Sequence, residues 1–164
     1  MMSIRQSKKL LLGFGILAGL LLNALVSKAQ CEGGRYIEPL FPDEPILTSD
    51  LIYGSNKTAY GDQINLLLDV YEPAGDQLDL RPLIILAHGG SFLFGSKTSY
   101  DVEPLAKDLA KVGYVTASID YRVGMTNYPI GVQHGVDTSD AAPAIIRGMH
   151  DGRAAVRYFR RHVA

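Results

Sequence analysis

The sequence predicts an α/β fold, with a mostly parallel sheet flanked by helices and antiparallel first strands. Three observations carry this prediction. "INLLLDVYEP" (64–73) alternates, with Ile64, Leu66, Leu68 and Val70 on one face and Asn65, Asp69 and Tyr71 on the other, as in a half-buried strand. "LIILAH" (83–88) is an unbroken apolar run, which suits a strand covered on both faces inside a parallel sheet. That run, a helical pattern and "YVTASIDY" (114–121) then follow one another as strand, helix and strand, which calls for a right-handed crossover and a parallel pair.

Taken in order, residues 30–45 hold three prolines and two glycines and read as an irregular lead-in. "ILTSDLIYGS" (46–55) is the first strand and pairs antiparallel with 64–73 at a sheet edge. Pro73-Ala74-Gly75-Asp76 breaks the second strand. After the third strand and a glycine-rich loop, "DVEPLAKDLAKVGY" places Val102, Leu105, Ala106 and Leu109 on one helical stripe, with Gly113 as its stop. The strand 114–121 follows, then a polar loop from Arg122 to about Ser139. Asp140 caps the last helix, Pro143 sits in its first turn, and the helix is expected to bury Ile145, Met149, Ala155, Val156 and Phe159. Its Arg157, Arg160 and Arg161 suit the negative end of the helix dipole.

Composition narrows the class. With 47% hydrophobic and 20% charged residues the chain is a globular domain rather than a disordered one. Arg5, Lys8 and Lys9 precede a 17-residue apolar run, Leu10–Val26, and Ser27-Lys28-Ala29 supplies a signal-peptidase site. Residues 1–29 are therefore expected to be a signal peptide cleaved near Ala29–Gln30, and the product exported to the periplasm or outside. The run is short for a membrane span of roughly 20 residues and contains three glycines and Asn23, so membrane contact is expected only through an uncleaved signal. Lys28 and Gln30 fit poorly ahead of a lipidated Cys31, the only cysteine. Beyond residue 29 there are 12 basic and 17 acidic residues, a net charge of −5 with no basic tract, so no nucleic-acid partner is expected.

The chemistry sits in "AHGGSFLFGS" (87–96), which lies after an apolar strand and before a helix, on the edge where open parallel sheets bind ligands. Glycines there let the backbone turn tightly and aim N–H groups at one point, where they stabilise an oxyanion by roughly 3 kcal/mol per donor. "LIILA" and "HGGSFLFGS", then "ASIDYR" one helix later, then "HDGRAAVRYFRRH", resemble the α/β-hydrolases, specifically the carboxylesterase and lipase type with an HGG oxyanion loop. The resemblance covers about residues 46–164. It implies an oxyanion hole from the backbone N–H groups of Gly89, Gly90 and Ser91, with His88 supporting the loop, and a serine-type carboxylic ester hydrolase using no cofactor or metal. Its substrate is implied to be a small-molecule, polysaccharide or lipid ester. The family's nucleophile lies in G-x-S-x-G on a later strand-to-helix turn, followed by the acid and the histidine, and this chain contains no G-x-S-x-G.

Residues 46–164 are accordingly expected to be the N-terminal half of an α/β-hydrolase domain, truncated before the nucleophile elbow and inactive alone. The strand 83–87 would leave a bare edge, which is expected to template aggregation. A catalytically dead exported binding domain of this fold, and a peptidase of the same fold, stay open as alternatives.

The remaining polar residues are read as structural. Ser91 lacks an oriented base and serves through its N–H rather than its hydroxyl. Asp120 and Arg122 are expected to anchor their loop through a structural ion pair and backbone hydrogen bonds. Asp151 and Arg153 lie two apart on one helix and cannot face each other. His134 is read as a surface loop residue, and His150 and His162 as exposed helix residues. These three and Cys31 show no metal-ligand spacing, and the loop lacks the G-x-G-x-x-G and G-K-[ST] patterns of phosphate sites.

Overall fold

The computed structural model describes residues 32–125 and 140–162. The expectations for the signal segment, Cys31 and His134 lie outside these residues. An N-terminal unit ends at Arg35 and contains a 3-10 turn at Glu32–Gly34. The unit from Tyr36 onward holds every other described element.

That unit contains β1 (Ile46–Lys57), β2 (Gln63–Glu72), β3 (Leu83–Ala87), α1 (Glu103–Lys111), β4 (Val115–Ile119) and α2 (Ala141–His162). The spatial order of the strands is β1-β2-β4-β3. β1 and β2 pair antiparallel, as do β2 and β4, while β3 and β4 run parallel in the register Leu83↔Val115 to Ala87↔Ile119. The sheet among the described residues is thus mixed, its parallel part confined to β3–β4. Residues 36–45 run without helix or strand, tied to the end of α1 where the Tyr36 and Phe41 N–H groups donate to the Val112 and Lys111 carbonyls.

Two apolar layers cover the sheet. Leu66, Leu68 and Val70 of β2 and Ala117 and Ile119 of β4 pack against Ala155, Tyr158 and Phe159 of α2. Full burial of a side chain such as Leu68 contributes about 2 kcal/mol. On the opposite face Tyr71 meets Ala106 and Ala110 of α1. β2 is therefore covered on both sides in its second half, and Asp69 and Tyr71, which alternation placed on a polar face, are buried. β3 is half-buried rather than enclosed, because among the described residues it pairs only with β4.

Both helices bury part of the expected stripe, Val102 and Ala106 beside α1 and Ala155 in α2, and turn the rest of it outward. In α1 the buried line is Val102, Ala106 and Ala110, while Leu105 is exposed. The small alanines let the helix approach β4 closely enough for Thr116 Oγ1 to donate to the Ala106 carbonyl at 2.9 Å. Pro104 is tolerated in the first turn, and Gly113 ends the helix at φ +110°, a conformation glycine adopts without strain. In α2 Ala144, Asp151 and Ala155 are buried and Tyr158 and Phe159 half-buried. Ile145, Met149 and Val156, expected inside, are 42%, 59% and 42% exposed. Asp151 fixes this rotation, since its partner lies on the sheet side. Asp140 immediately precedes α2, and its carbonyl accepts the Ala144 N–H at 3.0 Å.

Candidate active site

The site is built at the carboxyl ends of β3 and β4. The loop leaving β3 forms a tight turn closed by the Leu93 N–H donating to the Gly90 carbonyl at 2.9 Å. Its two central residues, Ser91 and Phe92, have φ of 55° and 62°, the left-handed combination of a type I′ turn. Gly90 precedes them at φ +101°, and a Cβ there would collide with the Phe94 carbonyl oxygen, so only glycine fits. Among the described residues no acceptor engages the N–H of Gly90 or of Ser91. The Gly89 N–H, expected to share their role, donates to Asp101 Oδ2 at 2.6 Å.

His88 supports the loop from beneath. It is 3% exposed, its ring stacks on Tyr121 at 4.3 Å between centroids, and its carbonyl accepts the Tyr121 hydroxyl at 2.9 Å. His88 Nδ1 lies 2.7 Å from the Gly89 carbonyl, an acceptor, so the ring proton belongs on Nδ1. Nε2 is then a buried acceptor with no partner among the described residues. Gly95 closes over the same ring, leaving no room for a Cβ beside Nδ1. Ser91 makes no hydrogen bond to His88 among the described residues, so the loop contains no serine–histidine couple.

The run Asp120-Tyr121-Arg122 divides three tasks. Asp120 Oδ1 accepts the Lys97 N–H at 2.6 Å, and the Asp120 carbonyl accepts the Tyr53 hydroxyl at 2.5 Å. Tyr121 holds His88, and its phenol is pushed above its ordinary range by burial, with the Asp101 charge adding. Arg122 does not pair with Asp120 as expected. It pairs with Asp151 of α2, through Nη2 to Oδ1 at 2.7 Å and Nε to Oδ2 at 2.9 Å, with both side chains almost fully buried. Geometry explains the difference: Asp120 is taken by the loop, while Asp151 enters from the helix above and also accepts the Arg122 N–H at 2.9 Å. The same site raises Tyr53 well above the usual phenol range, through burial first and then Asp151 and Asp120.

A second buried cluster escaped the sequence reading. Lys97 Nζ meets Asp69 Oδ1 and Oδ2 at 2.9 Å each and Asp50 Oδ1 at 3.0 Å. Burial alone would lower the ammonium, but its hydrogen bonds to Asp69 and Asp50 outweigh that and raise it. The sequence signal was a lone acid in the apolar strand "LLLDV". Asp101 gave no such signal, because its target is a backbone N–H. His150 and His162 are exposed on α2 as expected. Beside the turn, Phe92, Tyr121, Ile145 and Met149 wall a cavity of about 320 Å³.

A family model described as BD-FAE matches residues 68–164. The chain belongs to the BD-FAE family. Its relatives are lipases and esterases, in keeping with an α/β-hydrolase of the carboxylesterase and lipase type. It is 33% identical over 102 residues to Lipase 1 of Geotrichum candidum, covering 60% of this chain and 17% of that protein. It is 34% identical over 103 residues to Carboxylesterase 3B of Mus musculus, covering 60% and 16%. The chain thus spans less than a fifth of the length of these relatives. Thermogutta terrifontis esterase 2 phosphonylated by sarin is a similar solved structure, with TM-score 0.47, 26% identity and coverage of 74% of this chain and 36% of that one.

Proposed function

We propose that these residues supply the oxyanion-stabilising part of an exported, serine-type carboxylic ester hydrolase. The carrying observation is the left-handed turn at the end of β3, where the N–H groups of Gly90 and Ser91 have no acceptor among the described residues. In this mechanism an ester carbonyl is attacked by a serine, and the tetrahedral oxyanion is held by those two N–H groups. An acyl-enzyme then forms as the alcohol leaves, and water releases the acid. Gly89 anchors the start of the turn, its own N–H held by Asp101. The nucleophile, acid and base are not assigned to any of these 164 residues, since no G-x-S-x-G is present and Ser91 has no oriented base. A small-molecule, polysaccharide or lipid ester is the substrate class, and the leader 1–29 directs export.

The chain 1–164 should hydrolyse a p-nitrophenyl ester no faster than buffer does. Robust turnover abolished by Ser91→Ala would overturn the assignment of the turn. The coding sequence downstream of Ala164 gives a second test. If a strand followed by G-x-S-x-G is encoded there, its serine should be required for turnover by the extended protein, and turnover indifferent to that serine would sink the proposal.

A further inference from the structure

We infer that Lys97 is the positioning residue that locks the oxyanion turn, by fastening the downstream end of the loop to β4 and β2. The inference rests on the ester-hydrolase proposal for the purpose of the turn, but not for the lock.

Ser91 and Phe92 both occupy a left-handed conformation that L-residues avoid, and such geometry persists only where surroundings over-determine it. The upstream end of the loop is fixed by β3 itself, through Ala87 in register with Ile119 of β4. The downstream end is fixed by Lys97. Its N–H donates to Asp120 Oδ1 at 2.6 Å, and its carbonyl accepts the Ser118 hydroxyl at 2.7 Å. Its ammonium has three protons and finds three carboxylate oxygens, two on Asp69 and one on Asp50. Asp69 and Ser118 are themselves register partners across β2 and β4, so one cross-strand pair grips both the side chain and the carbonyl of Lys97. Asp50 reaches the cluster from a register shift in β1, at φ 58°, with its N–H on Asp69 Oδ1 at 2.9 Å. Both ends of the loop are thereby held on residues 118–120, at the carboxyl end of β4.

The β2–β4 ladder is made by backbone groups and does not need Lys97, whereas the loop, though its Phe92 carbonyl accepts the Gly124 and Met125 N–H groups and the Lys97 backbone bonds Asp120 and Ser118, is tied to Asp69 and Asp50 only through the ammonium. Removing the ammonium should therefore loosen residues 88–97 while the strands stay protected. Hydrogen-exchange mass spectrometry on the 164-residue chain, at low micromolar concentration, reads this directly. In Lys97→Met the amides of 88–97, including the Leu93 N–H that closes the turn, should exchange about tenfold faster, with the β2 and β4 amides within about threefold of wild type. Lys97→Met leaves Asp69 buried without its partner, so the double variant Lys97→Met/Asp69→Asn, which removes both charges together, is measured beside it. Should the single variant not fold, the double variant decides by the same criterion.

Loop exchange equal to wild type in a folded variant would overturn the inference. So would loop and strands accelerating together, which marks Lys97 as structural only, or a wild-type loop without protection, whether alone or with the strands. Failure of the esterase proposal appears instead as a turnover result, and leaves the exchange result standing.

Discussion

Two buried ion clusters are tied to the chain at and just beyond the carboxyl end of β4, and they fasten different things. Arg122–Asp151 joins the end of β4 to α2, a sheet-to-helix contact between residues 29 apart in sequence. Lys97–Asp69–Asp50 joins a loop to strands that are already hydrogen-bonded to each other. The first is closed, with both side chains almost wholly buried, while the second opens to solvent through Asp50, whose side chain is 66% exposed. A buried charge left without its partner is the expensive case, so stranding Arg122 or Asp69 is costly, while losing the exposed Asp50 is not.

The largest expected effect comes from breaking the closed pair. Asp151→Ala strands the Arg122 guanidinium and should cost about 3–5 kcal/mol in urea unfolding, whereas Asp50→Asn, removing one solvent-exposed arm of the open cluster, should cost under about 1 kcal/mol. Equal losses would erase the distinction. An intermediate effect is expected at Gly95, where Ala adds a Cβ against the His88 ring at φ +116°. Backbone strain of about 1–3 kcal/mol should appear in the same unfolding measurement. A Gly95→Ala protein as stable as wild type would show that the loop does not close over His88.

The smallest effect is alkaline and, among the cations of the two clusters, belongs to Lys97. Lys97 is raised above the ordinary lysine value of 10.5. Its contribution to stability is therefore complete below that value and is lost as pH rises through the folded-state pKa. Tyr53, raised from 10.0, acts in the same direction, because its neutral phenol is the form the fold prefers. Guanidinium groups keep their charge across this range. Urea midpoints should thus hold between pH 8 and about pH 10, then fall, with a shallower fall in Lys97→Met/Asp69→Asn. An identical alkaline slope in that variant would remove the lysine from the account.

The elements themselves were legible in the sequence, because alternation in β2, the unbroken apolar run in β3 and the glycine stop of α1 each reflect a local rule. The left-handed turn was legible as a glycine cluster. What could not be read was which face each helix turns inward. Hydrophobicity places Leu105 beside Ala106, and Ile145 and Met149 in the core, but only Ala106 stays buried, letting α1 approach Thr116, and Asp151 turns inward because a partner 29 residues away is waiting for it. Arg122 was paired with Asp120 by proximity in sequence. The chain instead assigns Asp120 to Lys97, a contact spanning 23 residues that no short window contains. Ile145 and Met149 retain a use outside the core, as walls of the cavity beside the turn.

Because the loop begins and ends on neighbouring residues of β4, it behaves as a cassette between two sockets. Its interior, from Gly89 to Ser96, can in principle be exchanged for another turn of equal span without re-registering the sheet. Changes of chemistry at this edge would then require rewriting a single eight-residue phrase, while the strands that carry it keep their spelling.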